Sequence, residues 1–406
     1  MNYSMDTIVA RTFERIMLTL VIVWVVLWLI NPLGEQMNVF FLKTDNFLAD
    51  FFNVMIYVSD SDIYHNTVNG TTQKIYLPLT YIFMSIFSGF ENYSLMTLED
   101  CYKSHPAMIS CLFFTLISIL IYFHAIYKIA IADFKIYFII LLSSVFLFTI
   151  ERGNVILISA ALSFYFLSFK DSDCKKERWF ALLSLCLATV TKGYPAIFGL
   201  YLLAGKRYKD IIICIVLTLI LTFIPFLWFD NGFANIPQFI DNVKNHNDEY
   251  ITAFFPRYGL IVLNTFLKIY FQIPEVIYKI GYVLSKYSMF VLAIISVFLF
   301  FKEKSTWKQL AMVSFIIAYI PANNGFYCGL YFIPSILIFL KNNEGRKIDC
   351  LYMILFCVFL NPVQIVIHDL PISWMLSNLS ILFVWILIIA ESFTTKLKVI
   401  IPMCKK

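Results

Sequence analysis

Long apolar segments, separated by short polar stretches, make up most of this chain. Runs of about 18 or more apolar residues recur along it, and an α-helix needs about that length to cross the hydrocarbon core of a membrane. The first run, residues 16–33, follows Arg11 and Arg15 and lacks a small-residue cleavage signal, so we expect it to be retained as the first span. The pattern predicts an all-α polytopic membrane protein with a single integral membrane domain, residues 1–406.

Two of the apolar segments are too short to cross the membrane as hairpins. Residues 137–169 are interrupted by the polar residues 151–154, which leaves arms of about 15 residues, or roughly 22 Å each, against a hydrocarbon core of about 30 Å. Residues 179–205 are interrupted at 191–195, and their arms have only about 12 residues. We therefore expect both polar turns to lie below the outer membrane surface, in one outward-facing hollow that protein or water can fill.

Further short apolar segments predict re-entrant or interfacial helices. Residues 76–90, which contain Pro78, form one such segment, and another follows Gly259. Including these, we expect a bundle of about 10–13 transmembrane and re-entrant helices with a helical first outer loop.

The charged residues, 14% of the chain, predict the topology. The basic clusters occur in alternate loops, which the positive-inside rule places in the cytoplasm together with both termini. Residues 34–105 and 230–275 are richer in acids and are predicted to be the two large extracytoplasmic loops of a multi-pass protein of the cell membrane. The net charge of +5 is then a consequence of topology, and it predicts no nucleic-acid partner. The basic clusters are Arg11/Arg15, Lys128/Lys135, Lys170 to Arg178, Lys206 to Lys209, Lys302 to Lys308, Lys341 to Lys347 and Lys396 to Lys406.

Metal chemistry has little support in the sequence. Asp60, Ser61 and Asp62, followed by His65, have the form of a sugar-nucleotide metal motif, but the acidic part recurs at residues 171–173 on the opposite predicted side. The other histidines have no ligand spacing, and the cysteines form neither a disulfide framework nor a CxxC pair. We therefore expect metal-independent chemistry without a cofactor, and a divalent ion at Asp60 and Asp62 is not favoured.

Three motifs in the first half of the chain resemble those of a known family. The first outer loop carries Asp50 at the start of a short helix, then Tyr64, then Tyr76 in a Tyr-x-Pro-Leu segment that leads into an apolar helix. Residues 151–154, Glu-Arg-Gly-Asn, are similar to a Gly-Gln-x-Asn turn, and residues 192–195, Lys-Gly-Tyr-Pro, are similar to a Lys-x-x-Pro segment. In this order the motifs resemble the polyprenyl-phosphate-sugar-dependent glycosyltransferases of family 87, in the GT-C superfamily. The resemblance implies a GT-C-like bundle, a polyprenyl-phosphate sugar donor and inversion at the anomeric carbon.

Such a reaction suggests a role for each of these residue types. A base must take the proton from the acceptor hydroxyl, and Asp50 is the candidate catalytic residue. Cations near the departing phosphate lower the barrier without a metal, and the candidates are Arg152, Lys192 and Arg257. Arg152 is able to hold two phosphate oxygens at once. Further substrate contacts are expected from Asn53, Tyr64, Tyr76, Glu151, Asn154 and Tyr194.

Simpler structural roles also fit some of these residues. Asp50 suits a solvated loop acid or an N-cap for the helix from Phe51 onward, and Arg257 suits a surface or snorkelling residue. Residues 153–154 and 193–195 have the composition of turns between helices. However, ionisable groups below the membrane surface are costly and usually functional, which favours substrate contact for Glu151, Arg152 and Lys192.

The sequence therefore predicts a hexosyl- or pentosyltransferase that is surrounded by membrane lipids and acts on the outer face of the membrane. Its acceptor would be a lipid-linked glycan or another glycan of the cell envelope. A transporter or flippase of lipid-linked glycans is the alternative from another class, since broken helices around charged residues also suit substrate passage. A glycan polymerase, which would use a polyprenyl-diphosphate donor in a comparable cavity, is a second alternative.

Overall fold

The computed structural model describes residues 7–42, 47–66, 73–130, 132–251, 256–321, 324–367 and 370–400. Within these ranges the chain is almost entirely helical, with 19 α-helices joined by short 3-10 turns and one π-turn. The only strands among the described residues form an antiparallel pair, β1 (Val366–Ile367) and β2 (Leu370–Pro371). In their register Val366 is opposite Pro371 and Ile367 is opposite Leu370.

The helices of the described residues follow one another along the chain with few strands between them. The first ten are α1 (Ile8–Ile30), α2 (Glu35–Met37), α3 (Ala49–Val58), α4 (Pro78–Ser85), α5 (Leu98–Lys103), α6 (His105–Ile129), α7 (Phe134–Leu141), α8 (Ser144–Arg152), α9 (Ile156–Phe169) and α10 (Lys175–Lys192). The remainder are α11 (Leu200–Ala204), α12 (Tyr208–Phe223), α13 (Asn235–Ile251), α14 (Leu260–Phe271), α15 (Glu275–Phe300), α16 (Thr306–Tyr319), α17 (Ile333–Asn342), α18 (Lys347–Leu360) and α19 (Ile372–Ile400).

Several of these helices have the length and composition of membrane spans. In the part of the chain that the structure describes, five helical stretches qualify, and α7 with α8 would form a sixth, bent by 56°. Shorter apolar helices include Pro78–Phe90 and Leu260–Phe271, where the sequence predicts re-entrant or interfacial helices. The prediction of an all-α polytopic membrane protein is confirmed. The five stretches are Ile8–Ile30, His105–Ile129, Tyr208–Trp228, Glu275–Phe300 and Ile372–Phe393.

Both predicted interruptions separate helices in the structure. α8 ends at Arg152 and α9 begins at Ile156, while α10 ends at Lys192, next to Gly193 with a φ of +72°. The arm before residue 151 contains a further break at residues 142–143, between α7 and α8, which the apolar run does not predict. The Ser143 hydroxyl donates to the Ile140 carbonyl at 2.7 Å, and a serine that bonds to the backbone in this way favours a bend.

The contacts of the chain divide it into two compact units. One consists of Phe40–Ile131 and Phe148–Ala253 and contains α3 to α6 and α9 to α13, together with the last residues of α8. In this unit α9 packs between α6 and α10, and its small residues Ser159, Ala160 and Ser163 permit close contact. The Ser159 hydroxyl donates to the Ala188 carbonyl at 3.1 Å. We call this part of the molecule the loop unit, because it includes most of the predicted first outer loop, from Phe40 onward.

The other unit consists of Met1–Val39, Ala132–Leu147 and Phe254–Lys406. Its helices α15 to α19 pack around buried aromatic rings, including stacked Phe315 and Trp385. Lys308 bonds Glu391 at 2.8 Å, and Arg346 bonds the same carboxylate at 2.8 Å. This ion cluster joins α16, α18 and α19. This division does not test the prediction of one integral membrane domain, which therefore stays a prediction.

Candidate active site

The candidate base Asp50 lies in the first turn of α3, and the start of this helix determines its position. Leu48, the residue before α3, has the left-handed backbone conformation with a φ of 53°, which leucine rarely adopts. Its N–H donates to the Glu151 carbonyl oxygen at 2.6 Å. Strain of this kind persists only where neighbouring contacts enforce it. The start of α3 is thereby attached to the end of α8, where Arg152 lies.

Gly153 allows α3 to approach the turn after α8 closely. Its φ is +62°, and a Cβ atom at this position would lie 2.9 Å from the Cβ of Phe51. Such a separation is shorter than real Cβ contacts, and a side chain also disfavours a positive φ. Only glycine therefore fits between the turn and α3 without a shift of the helix that carries Asp50.

The variant Gly153→Ala should lower the thermal stability of the protein and move α3 away from Arg152. We expect a loss of about 1–3 kcal/mol, because the methyl group adds a clash to an unfavourable backbone conformation. Melting of the purified protein in detergent measures the loss. Gly232→Ala is the matched control, since Gly232 also has a positive φ of +49° but its nearest neighbour would be a Leu227 methyl at 3.6 Å. Equal losses in both variants would show that the close approach is not the reason for Gly153.

Both carboxylate oxygens of Asp50 are engaged by the turn at residues 151–154. Oδ1 forms a salt bridge with Nη2 of Arg152, and Oδ2 accepts a hydrogen bond from Nδ2 of Asn154 at 2.6 Å. The two charged side chains are about one fifth exposed, 21% for Arg152 and 18% for Asp50. Asn154 is buried, and its Oδ1 accepts from the Ile156 N–H at 2.9 Å, which sets the direction of its amide. One carboxylate thus joins two motifs that are distant in sequence.

These contacts determine the charge of Asp50. Burial raises the pKa of its carboxyl, but the charge and hydrogen bond of Arg152, the hydrogen bond of Asn154 and the charge of Lys192 outweigh burial and place the pKa below its ordinary value. Asp50 is therefore ionised at neutral pH, as a general base must be. The same pairing makes it a weaker proton acceptor for as long as Arg152 remains in contact.

Tyr76 connects this carboxylate site to Lys192. The Lys192 ammonium donates to the Tyr76 hydroxyl at 3.0 Å and lies 4.6 Å from the centre of its ring. The same hydroxyl accepts a longer hydrogen bond, 3.4 Å, from Nδ2 of Asn154. A continuous polar chain therefore runs from Asp50 through Asn154 and Tyr76 to Lys192, and all three sequence motifs meet in the loop unit.

Two further contacts place Tyr76 and Lys192 beside each other. Tyr64 is fully buried among aromatic rings, and its hydroxyl donates to the Tyr76 carbonyl at 3.1 Å. The Thr80 hydroxyl donates to the Val190 carbonyl at 3.3 Å, which joins α4 to the last turn of α10. Thr80 was not singled out in the sequence, although a polar residue inside an apolar helix is a signal for such a contact.

The remaining predicted site residues are more dispersed. Asn53 lies on α3 one turn after Asp50, and Tyr194 begins the 3-10 turn Tyr194–Gly199. Glu151 is buried at 5% exposure, and its backbone carbonyl holds the Leu48 N–H. Arg257 is also buried, but it belongs to the other unit. Substrate contact by these residues stays a prediction.

The acidic residues of the predicted first outer loop bond to their neighbours. The Asp62 carboxylate contacts Nδ1 of His65 at 2.8 Å, and the Asp60 carboxylate accepts from Nδ2 of Asn66 at 2.7 Å. Within the described ranges, no group of three or more His, Cys, Asp or Glu side chains is arranged to hold a metal ion. Metal-independent chemistry remains a prediction.

The arrangement combines a carboxylate with two cations at the ends of broken helices. A carboxylate can accept a proton from a hydroxyl group, and the cations can stabilise negative charge on a phosphate. Asp50 does not serve as the N-cap of α3, because Leu48 occupies the cap position and no side chain caps this helix. The side-chain oxygens of Asp50 instead bond Arg152 and Asn154.

The similarity of this chain to a known protein family extends well beyond the site residues. The model of glycosyltransferase family 87 matches residues 75–320, which is more than half of the 406 residues. The match includes Tyr76 and the turns at 151–154 and 192–195, whereas Asp50 precedes it. No curated protein and no solved structure matches the chain. The recognition of the family from its motifs is confirmed, and the chain belongs to glycosyltransferase family 87.

Proposed function

We propose that this membrane glycosyltransferase moves one sugar from a polyprenyl-phosphate donor to a lipid-linked or other cell-envelope glycan on the outer face of the membrane. The observation that carries the proposal is the polar chain of the loop unit, in which Asp50 lies beside Arg152 and is connected to Lys192 through Asn154 and Tyr76. It provides a base for the acceptor and cations for a phosphate leaving group in one place.

The reaction follows from these groups. Asp50 takes the proton of the acceptor hydroxyl as that oxygen forms a bond to the anomeric carbon of the donor sugar. The bond from this carbon to the phosphate oxygen breaks, and its electron pair stays on the phosphate. Arg152 and Lys192 stabilise that charge, with the planar guanidinium suited to two phosphate oxygens. A single displacement of this kind inverts the anomeric carbon.

The lipid part of the donor fits the surroundings of the site. α10 and α12 pack together in the loop unit, and α12 presents large apolar side chains, with Ile212 61% exposed and Leu219 51% exposed. Such a surface suits lipid tails, whether of the bilayer or of a polyprenyl chain. It supports a donor that reaches the site from within the membrane.

Action on the outer face is supported by the distribution of charge. The basic clusters at Lys170 to Arg178 and Lys206 to Lys209 follow the arms that lead away from the two polar turns, and the positive-inside rule assigns these clusters to the cytoplasm. The turns that carry Arg152 and Lys192 are at the opposite ends of the same arms. The family match favours sugar transfer over transport, while the polymerase alternative differs in its donor, a diphosphate.

Membrane vesicles of defined orientation test the donor and the face together. Right-side-out vesicles that contain the protein should transfer labelled sugar from a polyprenyl-phosphate sugar to an added glycan that cannot cross the membrane, and inside-out vesicles should not. Vesicles without the protein are the control. Transfer only in inside-out vesicles would reverse the assigned face. Use of a polyprenyl-diphosphate glycan in place of the monophosphate would favour the polymerase.

A further inference from the structure

We propose, resting on the function proposed above, that Arg152 is shared between Asp50 and the donor phosphate. Without donor, the guanidinium occupies Oδ1 of Asp50. The phosphate then draws the guanidinium away, and Oδ1 becomes the atom that accepts the acceptor proton. Asn154 stays hydrogen-bonded to Oδ2 throughout and acts as a positioning residue. The base is thereby exposed only after the donor has bound.

The two partners of Asp50 differ in their freedom to move. Asn154 is 2% exposed, and its amide is held at both ends, by the Ile156 N–H and by Asp50. Arg152 is 21% exposed, stands at the last residue of α8 and has a long flexible side chain. Of the two contacts to the carboxylate, the one from Arg152 is therefore the one that a ligand can replace.

The charges support an exchange of partners. A donor phosphate offers the guanidinium a second anion and a geometry in which two N–H groups bond two oxygens. Lys192 donates to Tyr76 at 3.0 Å, so its approach to a phosphate does not require a break of the contacts to Asp50. Departure of the guanidinium removes the main neighbour that weakens Asp50 as a base, and the carboxylate gains basicity when the donor is in place.

A double-mutant cycle on binding tests the exchange without relying on turnover. The probe is a polyprenyl monophosphate, the leaving group of the proposed reaction, titrated against the detergent-purified protein. Asp50→Asn removes the competitor for Arg152, so the variant should bind the probe about 10-fold more tightly than the parent, the effect of releasing one charge-assisted hydrogen bond. In the Arg152→Gln background the same substitution should have a much smaller effect, because only the repulsion between the carboxylate and the phosphate is then relieved. Lys192→Met is the matched control, in which Asp50→Asn should still tighten binding.

Each result of the cycle has a distinct meaning. Equal tightening in the parent and Arg152→Gln backgrounds would indicate ordinary charge repulsion and overturn the sharing, as would no tightening in the parent. A parent protein that does not bind the probe would instead count against the proposed donor. Melting temperatures check that the variants are folded, and Arg152→Met replaces Arg152→Gln if that variant is not. Where binding is too weak to titrate, a structure with the probe bound decides, because a retained Arg152–Asp50 contact would overturn the sharing.

Discussion

Replacement of Asp50 by Asn should reduce sugar transfer about 10²-fold or more while the protein still inserts, folds and binds donor lipid. Asn has nearly the same size as Asp and can still accept hydrogen bonds, but it cannot take a proton from the acceptor hydroxyl. In the structure the side chain of Asp50 does not cap α3, so a structural role in capping does not account for such a loss. The measurement is single-turnover transfer from a synthetic polyprenyl-phosphate sugar by purified protein.

The matched control for this prediction is Asp248→Asn. Asp248 is an exposed acid of α13 in the same unit, and the substitution makes the same change of charge and shape. We expect it to transfer sugar at the rate of the parent. Activity in Asp50→Asn within a few fold of the parent would remove Asp50 as the base, even though the family assignment would stand.

Loss of either cation should give the second largest effect. Arg152→Gln and Lys192→Met each remove a positive charge from a place where water cannot easily replace it, and we expect a fall of about 10²-fold or more in the rate of transfer. Because the charge on the phosphate increases as the sugar departs, kcat should fall more than the affinity for the donor. Steady-state rates over a range of donor concentrations separate the two.

Lys244→Met is the corresponding control for the cations. Lys244 is an exposed lysine of α13, and its removal changes the net charge of the loop unit as Lys192→Met does. It should leave transfer unchanged. Parent-level turnover in both Arg152→Gln and Lys192→Met, with normal expression, would return the two turns to a purely structural role.

The helical character and the interruptions of the chain were predictable because they depend on local properties. An uninterrupted apolar run indicates a span, and polar residues with Gly153 or Gly193 indicate where two helices separate. The break inside the arm before residue 151 was not predicted. Hydrophobicity alone does not distinguish a straight helix from one that a serine bends at residues 142–143.

The sequence by itself determined the class of the protein, the family and the residue types of the site, since composition, apolar length and short motifs are properties of neighbouring residues. Only the tertiary structure decided how those residues are paired. Asp50 and Arg152 are 102 positions apart, and Tyr76 and Lys192 are 116 positions apart. The first contact depends on the strained backbone of Leu48 and on the close approach at Gly153, and the second depends on the bond from Thr80 of α4 to Val190 of α10. No local pattern encodes such contacts, because they exist only once the helices have packed against one another.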